Sequence, residues 1–161
     1  LEVIDSKGAV RQILRVLREK RPVGILADQN LSPRLGGIFV DFFGLPATCP
    51  STPAALARKL NVPLLVCALV RTADGFEMVL QKLPKPVAEY GSDQELVQAM
   101  VLCNEELIRR HPEDYAWLYR RWKYIPCDVS AEQAARYPPY AIRIPVRQDG
   151  TQASRPSHAH S

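Results

Sequence analysis

The sequence predicts an α/β domain with a central mixed sheet flanked by helices. Short unbroken apolar runs alternate with stretches whose apolar residues recur at helical spacing, the pattern of buried strands and the helices that cover them. The runs are short and lie beside Pro and Gly, as strands in such a sheet do. The chain has 161 residues, 47% hydrophobic and 24% charged, enough for one domain with a sizeable core.

The elements follow in order. "AVRQILRVLREKR" places Val10, Ile13, Leu14 and Leu17 at helical spacing, with Arg11, Arg15, Arg18 and Lys20 largely on the other faces. It predicts a basic amphipathic helix that ends before Pro22 and packs on a sheet or also touches anionic headgroups. "PVGILAD" predicts a buried strand with Asp28 at its carboxyl end, the edge where open α/β sheets collect ligands. "GIFVDFF" predicts a second strand. "STPAALARKL" predicts a helix with Ser51 or Thr52 as N-cap and Pro53 in the first turn.

"VPLLVCALVR" predicts another buried strand with Cys67 in the core, and "GFEMVLQKL" its neighbour after the turn at residues 73 to 75. "SDQELVQAMVLCNEELIRRH" opens on Ser92 with Glu95 three residues later, a capping-box signature, and aligns Leu96, Met100, Cys103 and Leu107. Pro112 stops that helix. "PEDYAWLYRRWKYIP" is dense in rings and cations. The pattern dissolves from about Ser130, so the domain is expected over residues 1–128 and a mostly disordered tail over 129–161.

The net charge of +4 favours anionic partners: phospholipid, phosphorylated sugar or nucleic acid. The four cysteines form no C-x-x-C pair and no His stands at finger-like spacing, so no metal site is expected and reduced thiols are. G-x-S-x-G and Walker patterns are absent. The chain opens on Leu1 without an initiator Met or an apolar leader, and further sequence is expected upstream.

Asp28 and Gln29 are the first candidate site residues: the carboxylate can orient a cation, hold a hydroxyl or act as a base, or it caps a loop. Arg34 with Gly36 and Gly37 could wrap an anionic group, or the glycines mark a tight turn. Phe42 and Phe43, before Gly44, could line an acyl tunnel or plug the core. "WLYRRWK" interleaves Trp117, Tyr119 and Trp122 with Arg120, Arg121 and Lys123. That mixture suits single-stranded nucleic acid or a membrane interface, or a helix with its rings inward. His111 stands before Glu113 and Asp114, but Pro112 leaves its orientation unfixed.

The run "VGILADQN…GGIFVDFFGLPATCPSTPAALARKLNVPLLVCALVR", followed by "RRHPEDYAWLYRRWK", resembles the C-terminal half of the bacterial lipid A biosynthesis acyltransferases, the lauroyl and myristoyl transferases. The resemblance covers roughly residues 2 to 126 and implies a glycerolipid-acyltransferase-like fold whose N-terminal part is not in this sequence. It implies transfer of a fatty acyl chain from acyl carrier protein to a hydroxyl of a lipid A precursor, in lipopolysaccharide biosynthesis at the cytoplasmic face of the inner membrane. Attachment there would be peripheral or through an N-terminal anchor. The implied partners are acyl carrier protein as donor, a glycolipid acceptor and the membrane surface, with no other cofactor and no nucleic acid.

In that family a His followed five residues later by an acid is the general base. No His precedes His111 here, and the fifth residue after it is Ala116. The catalytic motif is therefore expected upstream of residue 1, and this stretch alone is expected to be inactive. By the same resemblance Asp28 and Gln29 help organise the acceptor pocket, and Phe42 and Phe43 shape that pocket or the acyl channel. Trp117 to Lys123 give structural support, with phosphate or membrane contact by Arg120, Arg121 and Lys123 as an added role. Arg34, from its own loop, is the further substrate-side candidate. Acylation of another glycolipid, such as a phosphatidylinositol mannoside, is an alternative, as is a non-catalytic module that binds anionic lipid or nucleic acid.

Overall fold

Helix and strand interleave, as the apolar pattern predicts, in a computed structural model that describes residues 3, 4 and 8–144. The order is α1 (Ala9–Arg18), β1 (Gly37–Phe42), β2 (Leu45–Pro50), α2 (Thr52–Leu60), β3 (Leu65–Thr72), β4 (Gly75–Lys82), α3 (Asp93–Arg110), β5 (Tyr124–Ile125), α4 (Ala131–Ala135) and β6 (Ile142–Arg143). The class is α/β. Both pairing senses occur: β1–β2 and β3–β4 are antiparallel and β5–β6 is parallel. Among the described residues these strands form three two-stranded sheets rather than one continuous one.

Helix α3 organises the core. Ser92 caps it by accepting from the Glu95 N–H at 3.1 Å, as predicted, while the Glu95 carboxylate takes the Gly91 N–H at 2.7 Å. Leu96, Val97, Ala99, Val101, Leu107 and Ile108 are all buried, a wider stripe than one face. The width follows from what packs on it: the β1–β2 hairpin, α2 and the β3–β4 ribbon. Gln94 and Gln98 of α3 also cover the open edge of β1. The Gln94 amide donates to Phe39 O at 2.6 Å, and Gln98 accepts from Asp41 N at 2.7 Å while donating to Asp41 O at 3.0 Å. Side-chain amides thereby stand where a third strand would.

Strand β2 is one that the sequence reading leaves out, because Pro46 and Pro50 argue against a strand. A two-stranded ribbon leaves an edge of each strand unpaired, and there a missing N–H costs nothing. Phe43 (φ 52°) and Gly44 (φ 76°) form the connecting turn, the paired positive φ that tight hairpins use.

Two strand expectations are corrected. Residues 22–28 form no strand and pair with none, and Ile25 and Leu26 stand 41% and 87% exposed. An apolar run becomes a buried strand only where others supply its ladder and cover, and among the described residues no strand supplies the ladder. β3 is a strand but not a buried one. Its register with β4 puts Leu65, Cys67 and Leu69 on one face with Leu80, Met78 and Phe76, and that whole face is exposed. Only the opposite face, with Val70 buried, packs on α3, so Cys67 is a surface thiol and not a core residue.

The expected tail begins with structure. Ser130 caps α4 by accepting from Gln133 N at 3.1 Å, Tyr137 is buried with its hydroxyl donating to Pro46 O at 2.8 Å, and Arg136 donates to Gly44 O at 3.2 Å. These contacts fix residues 130–144 against the hairpin without any amphipathic period that the sequence would display. Residues 145–161 of the expected tail lie outside the described residues. No helix among the described residues is long and apolar enough to cross a membrane.

Candidate functional site

The loop from Asp28 to Gly36 is fixed by its own backbone and by side chains, chiefly Asn30 and Ser51. Leu35 N and Gly37 N both donate to Ser32 O, at 2.8 and 3.1 Å, around a single tight turn at Pro33–Leu35. Gly36 adopts φ 94°, and a Cβ on Gly37 would overlap the Leu31 carbonyl, only 2.7 Å from its carbon. The paired glycines therefore supply positive φ and close approach as the sequence reading requires, and the group approached is the loop's own backbone. Ser51 Oγ donates to Gly36 O at 3.0 Å and ties the loop to the start of α2.

The decisive side chain is Asn30, which the sequence reading passes over. Its N–H donates to the Tyr119 hydroxyl at 2.7 Å, its Nδ2 to Arg120 O at 2.6 Å, and its Oδ1 accepts from Arg121 Nη1 at 3.0 Å. Those partners lie about ninety residues away in the chain, so no local pattern could reveal them. The one signal is a fourfold hydrogen-bonding amide set directly after Asp28 and Gln29.

Of the two roles expected for its block, Arg121 has the structural one. It is 3% exposed, so it contacts neither phosphate nor membrane at this surface. Nη1 also donates to Thr48 O and Nη2 to Cys49 Sγ, each at 2.6 Å, and the guanidinium carbon lies 5.0 Å from the Phe42 ring centre. Among the described residues no carboxylate pairs with it. A guanidinium stays charged, and three acceptors with a π face offset its desolvation. Burial pushes the Cys49 thiol up against the opposing pull of Arg121, which leaves a neutral acceptor there.

Phe42 is also corrected. It is fully buried, with ring centres 4.8 Å from Phe43, 5.4 Å from Trp122 and 6.3 Å from Tyr115. It plugs the core and does not line an open channel. Phe43 is half-buried: its N–H donates to Glu105 Oε1 at 2.8 Å and Arg109 covers its ring at 4.9 Å. "WLYRRWK" is not helical, and Arg120 and Lys123 lie exposed, over the Tyr140 and Tyr124 rings at 5.6 and 5.5 Å.

Asp28, Gln29 and Arg34 are exposed on the fixed loop. Burial pushes the Tyr115 hydroxyl up, with Arg121 opposing this and the Asp28 charge adding to it. Immediately before Asp28, Ala27 lines a cleft of about 140 Å³ with Leu17, Val23, Ile25, Leu56 and Met100, and every lining residue is apolar. Asp28 and Gln29 follow Ala27 in the chain; both are exposed and neither lines the cleft. His111, Glu113 and Asp114 gather their ligand-type atoms within 4.8 Å of one another, with no residue of the loop in the group. Asp114 Oδ2 there accepts from Arg71 N at 3.1 Å.

The family model described as bacterial lipid A biosynthesis acyltransferase matches residues 1–124. A phosphatidylinositol mannoside acyltransferase of Mycolicibacterium smegmatis is 29% identical over 139 residues, 84% of this chain and 43% of that protein. One of Mycobacterium tuberculosis is 30% identical over 127 residues, 75% and 38%. A lipid A biosynthesis acyltransferase of Haemophilus influenzae is 25% identical over 128 residues, 78% and 40%. The chain thus spans about two fifths of the length of these curated relatives. With a match over residues 1–124 that takes in α1, both hairpins, α3 and the loop that carries Asp28, the chain belongs to the bacterial lipid A biosynthesis acyltransferase family.

Proposed function

We infer that the chain forms the acceptor-side wall of an acyltransferase that moves a fatty acyl chain from acyl carrier protein to a hydroxyl of a glycolipid. The observation that supports this reading is a cleft walled by apolar residue types that includes Ala27, directly before Asp28 and Gln29 in the loop that Asn30 pins. The cleft suits hydrocarbon and the polar pair suits a hydroxyl: Asp28 accepts its hydrogen bond and Gln29 can donate or accept. The acceptor oxygen attacks the thioester carbonyl carbon, the carbon–sulfur bond breaks, and the thiol leaves with the proton that a general base removed. That base, a His with an acid, is proposed for the part of the relatives that this chain does not match.

The family description supports a lipid A precursor as acceptor, and the relatives at 29% and 30% identity support a phosphatidylinositol mannoside. Both substrates are lipids, which supports work at a membrane surface; the cytoplasmic face of the inner membrane is the location this reading proposes. Arg34, Arg120 and Lys123 are exposed cations suited to lipid phosphate there. A nucleic-acid module has less support, because the middle cation of "WLYRRWK" faces inward.

The test is Asp28→Ala in the full-length gene product, assayed with acyl carrier protein loaded with a labelled acyl chain and a glycolipid acceptor. A fall in kcat/KM of about tenfold or more, with an unchanged circular dichroism spectrum, is expected. Unchanged turnover removes Asp28 from the site.

A further inference from the structure

A second, larger opening lies away from the Asp28 loop. A groove of about 440 Å³ runs between β1 and α3 on one side and residues 126–133 on the other. The second wall lies beyond the residues that the family model matches, 1–124. The groove therefore joins the family domain to a segment outside the match.

Its polar lining is one-sided. Asp41, Asp128, Gln94, Gln98 and Gln133 supply it, and among the described residues no Lys, Arg or His does, in a chain of net charge +4. Gln98 spends both ends of its amide on the β1 backbone and Gln94 spends its NH₂ on Phe39 O. Asp41 Oδ1 accepts from Gly44 N at 2.8 Å. What remains to face a ligand is the Asp128 carboxylate, the second oxygen of Asp41, the Gln94 carbonyl and the Gln133 amide. Acceptors outnumber donors, so the groove suits a ligand that brings O–H donors. Two carboxylates without a cation oppose a phosphate. The volume is in the range of small-ligand sites, and Phe39 offers an apolar surface to the C–H face of a ring.

We propose that this groove binds a neutral, polyhydroxylated hexose of the acceptor glycolipid, which rests on the glycolipid reading above and extends it by selecting an unphosphorylated sugar. The hexose hydroxyls donate to Asp128, Asp41 and the Gln94 carbonyl, and the Gln133 NH₂ donates to a ring or hydroxyl oxygen. The hydroxyl that is acylated belongs to the Asp28 loop, and this groove fixes a different part of the acceptor.

The experiment is an NMR titration of the ¹⁵N-labelled chain with methyl α-mannoside, glucosamine 1-phosphate and spermidine in parallel. Saturable shifts at the amides of Asp41, Gln94, Asp128 and Gln133 with the mannoside alone are expected. Asp128→Asn combined with Gln133→Ala abolishes them. Asp128 is exposed, its side chain makes no hydrogen bond among the described residues, and unchanged amides elsewhere in the spectrum verify the fold of the variant. Absence of mannoside shifts, shifts elsewhere, shifts that survive the double substitution, or tighter binding of the phosphate or polyamine overturns the proposal. The titration reads sugar binding and not acyl transfer, so a failed transferase assay sinks the acyltransferase reading without touching this result.

Discussion

Asn30 Oδ1 accepts a hydrogen bond from Arg121 Nη1 at 3.0 Å, joining a surface loop to a buried cation 91 residues later. The same guanidinium holds Thr48 O and Cys49 Sγ of β2, so one side chain couples the Asp28 loop to the hairpin core. Asn30→Ala should cost about 1–3 kcal/mol, since it leaves Arg121 short of an acceptor. Arg121→Ala should cost more. Arg121→Lys should not rescue it, because one ammonium cannot span the same three acceptors. Urea unfolding of the three variants checks the order, and an Arg121→Lys variant as stable as the parent would show that the fork geometry is unimportant.

Gly37→Ala places a methyl group against the Leu31 carbonyl. The strand must shift or the loop must open, and either moves the segment that carries Asp28. Loss of about 1–3 kcal/mol is expected, with faster hydrogen exchange concentrated in residues 28–36. Exchange that rises uniformly across the chain would indicate that the loop is not the part that yields.

The exposed face of the β3–β4 ribbon carries Leu69 opposite Met78, 60% and 62% exposed, with Phe76 and Leu80 on either side. A contiguous apolar patch of this kind promotes association. Leu69→Lys with Met78→Glu should change unfolding free energy by no more than about 0.5 kcal/mol, as surface substitutions do. It should also lower the apparent mass in sedimentation velocity at high concentration. A large stability loss would mean that this face is packed in solution.

Tyr137 gives the fold an alkaline limit. Burial, with Asp41 and Asp128 adding to it and Arg136 opposing, pushes its hydroxyl up from the ordinary value of 10.0 to about 12. The unfolded chain loses this proton near pH 10 and the folded chain holds it, so the unfolded state binds fewer protons and stability falls as pH rises from 10 towards 12. Below pH 10 the contribution is fully present. Tyr137→Phe should flatten the decline in chemical-denaturation stability between pH 10 and 12, while losing the bond to Pro46 O at every pH. An unaltered slope would assign the decline to other groups.

Elements whose cause is local were legible along the chain. α1 and α2 follow from apolar period, α3 from apolar period together with the Ser92 and Glu95 cap, and the β3–β4 ribbon from its alternation and turn. The glycines at 36 and 37 announced positive φ and close approach, and the blocks around Asp28 and "WLYRRWK" carried the family resemblance. Tertiary structure alone decided where those elements face. The run ending at Asp28 has a strand's composition but no ladder, and Cys67 lies in an apolar run yet on an open face, because burial depends on what else packs there. Arg121 and Arg120 are neighbours of one chemical type, but the first sits under Phe42 and the second in solvent. The reason is physical: hydrogen bonds such as Asn30 to Arg121 join residues that only the folded chain brings together, and no periodicity encodes them.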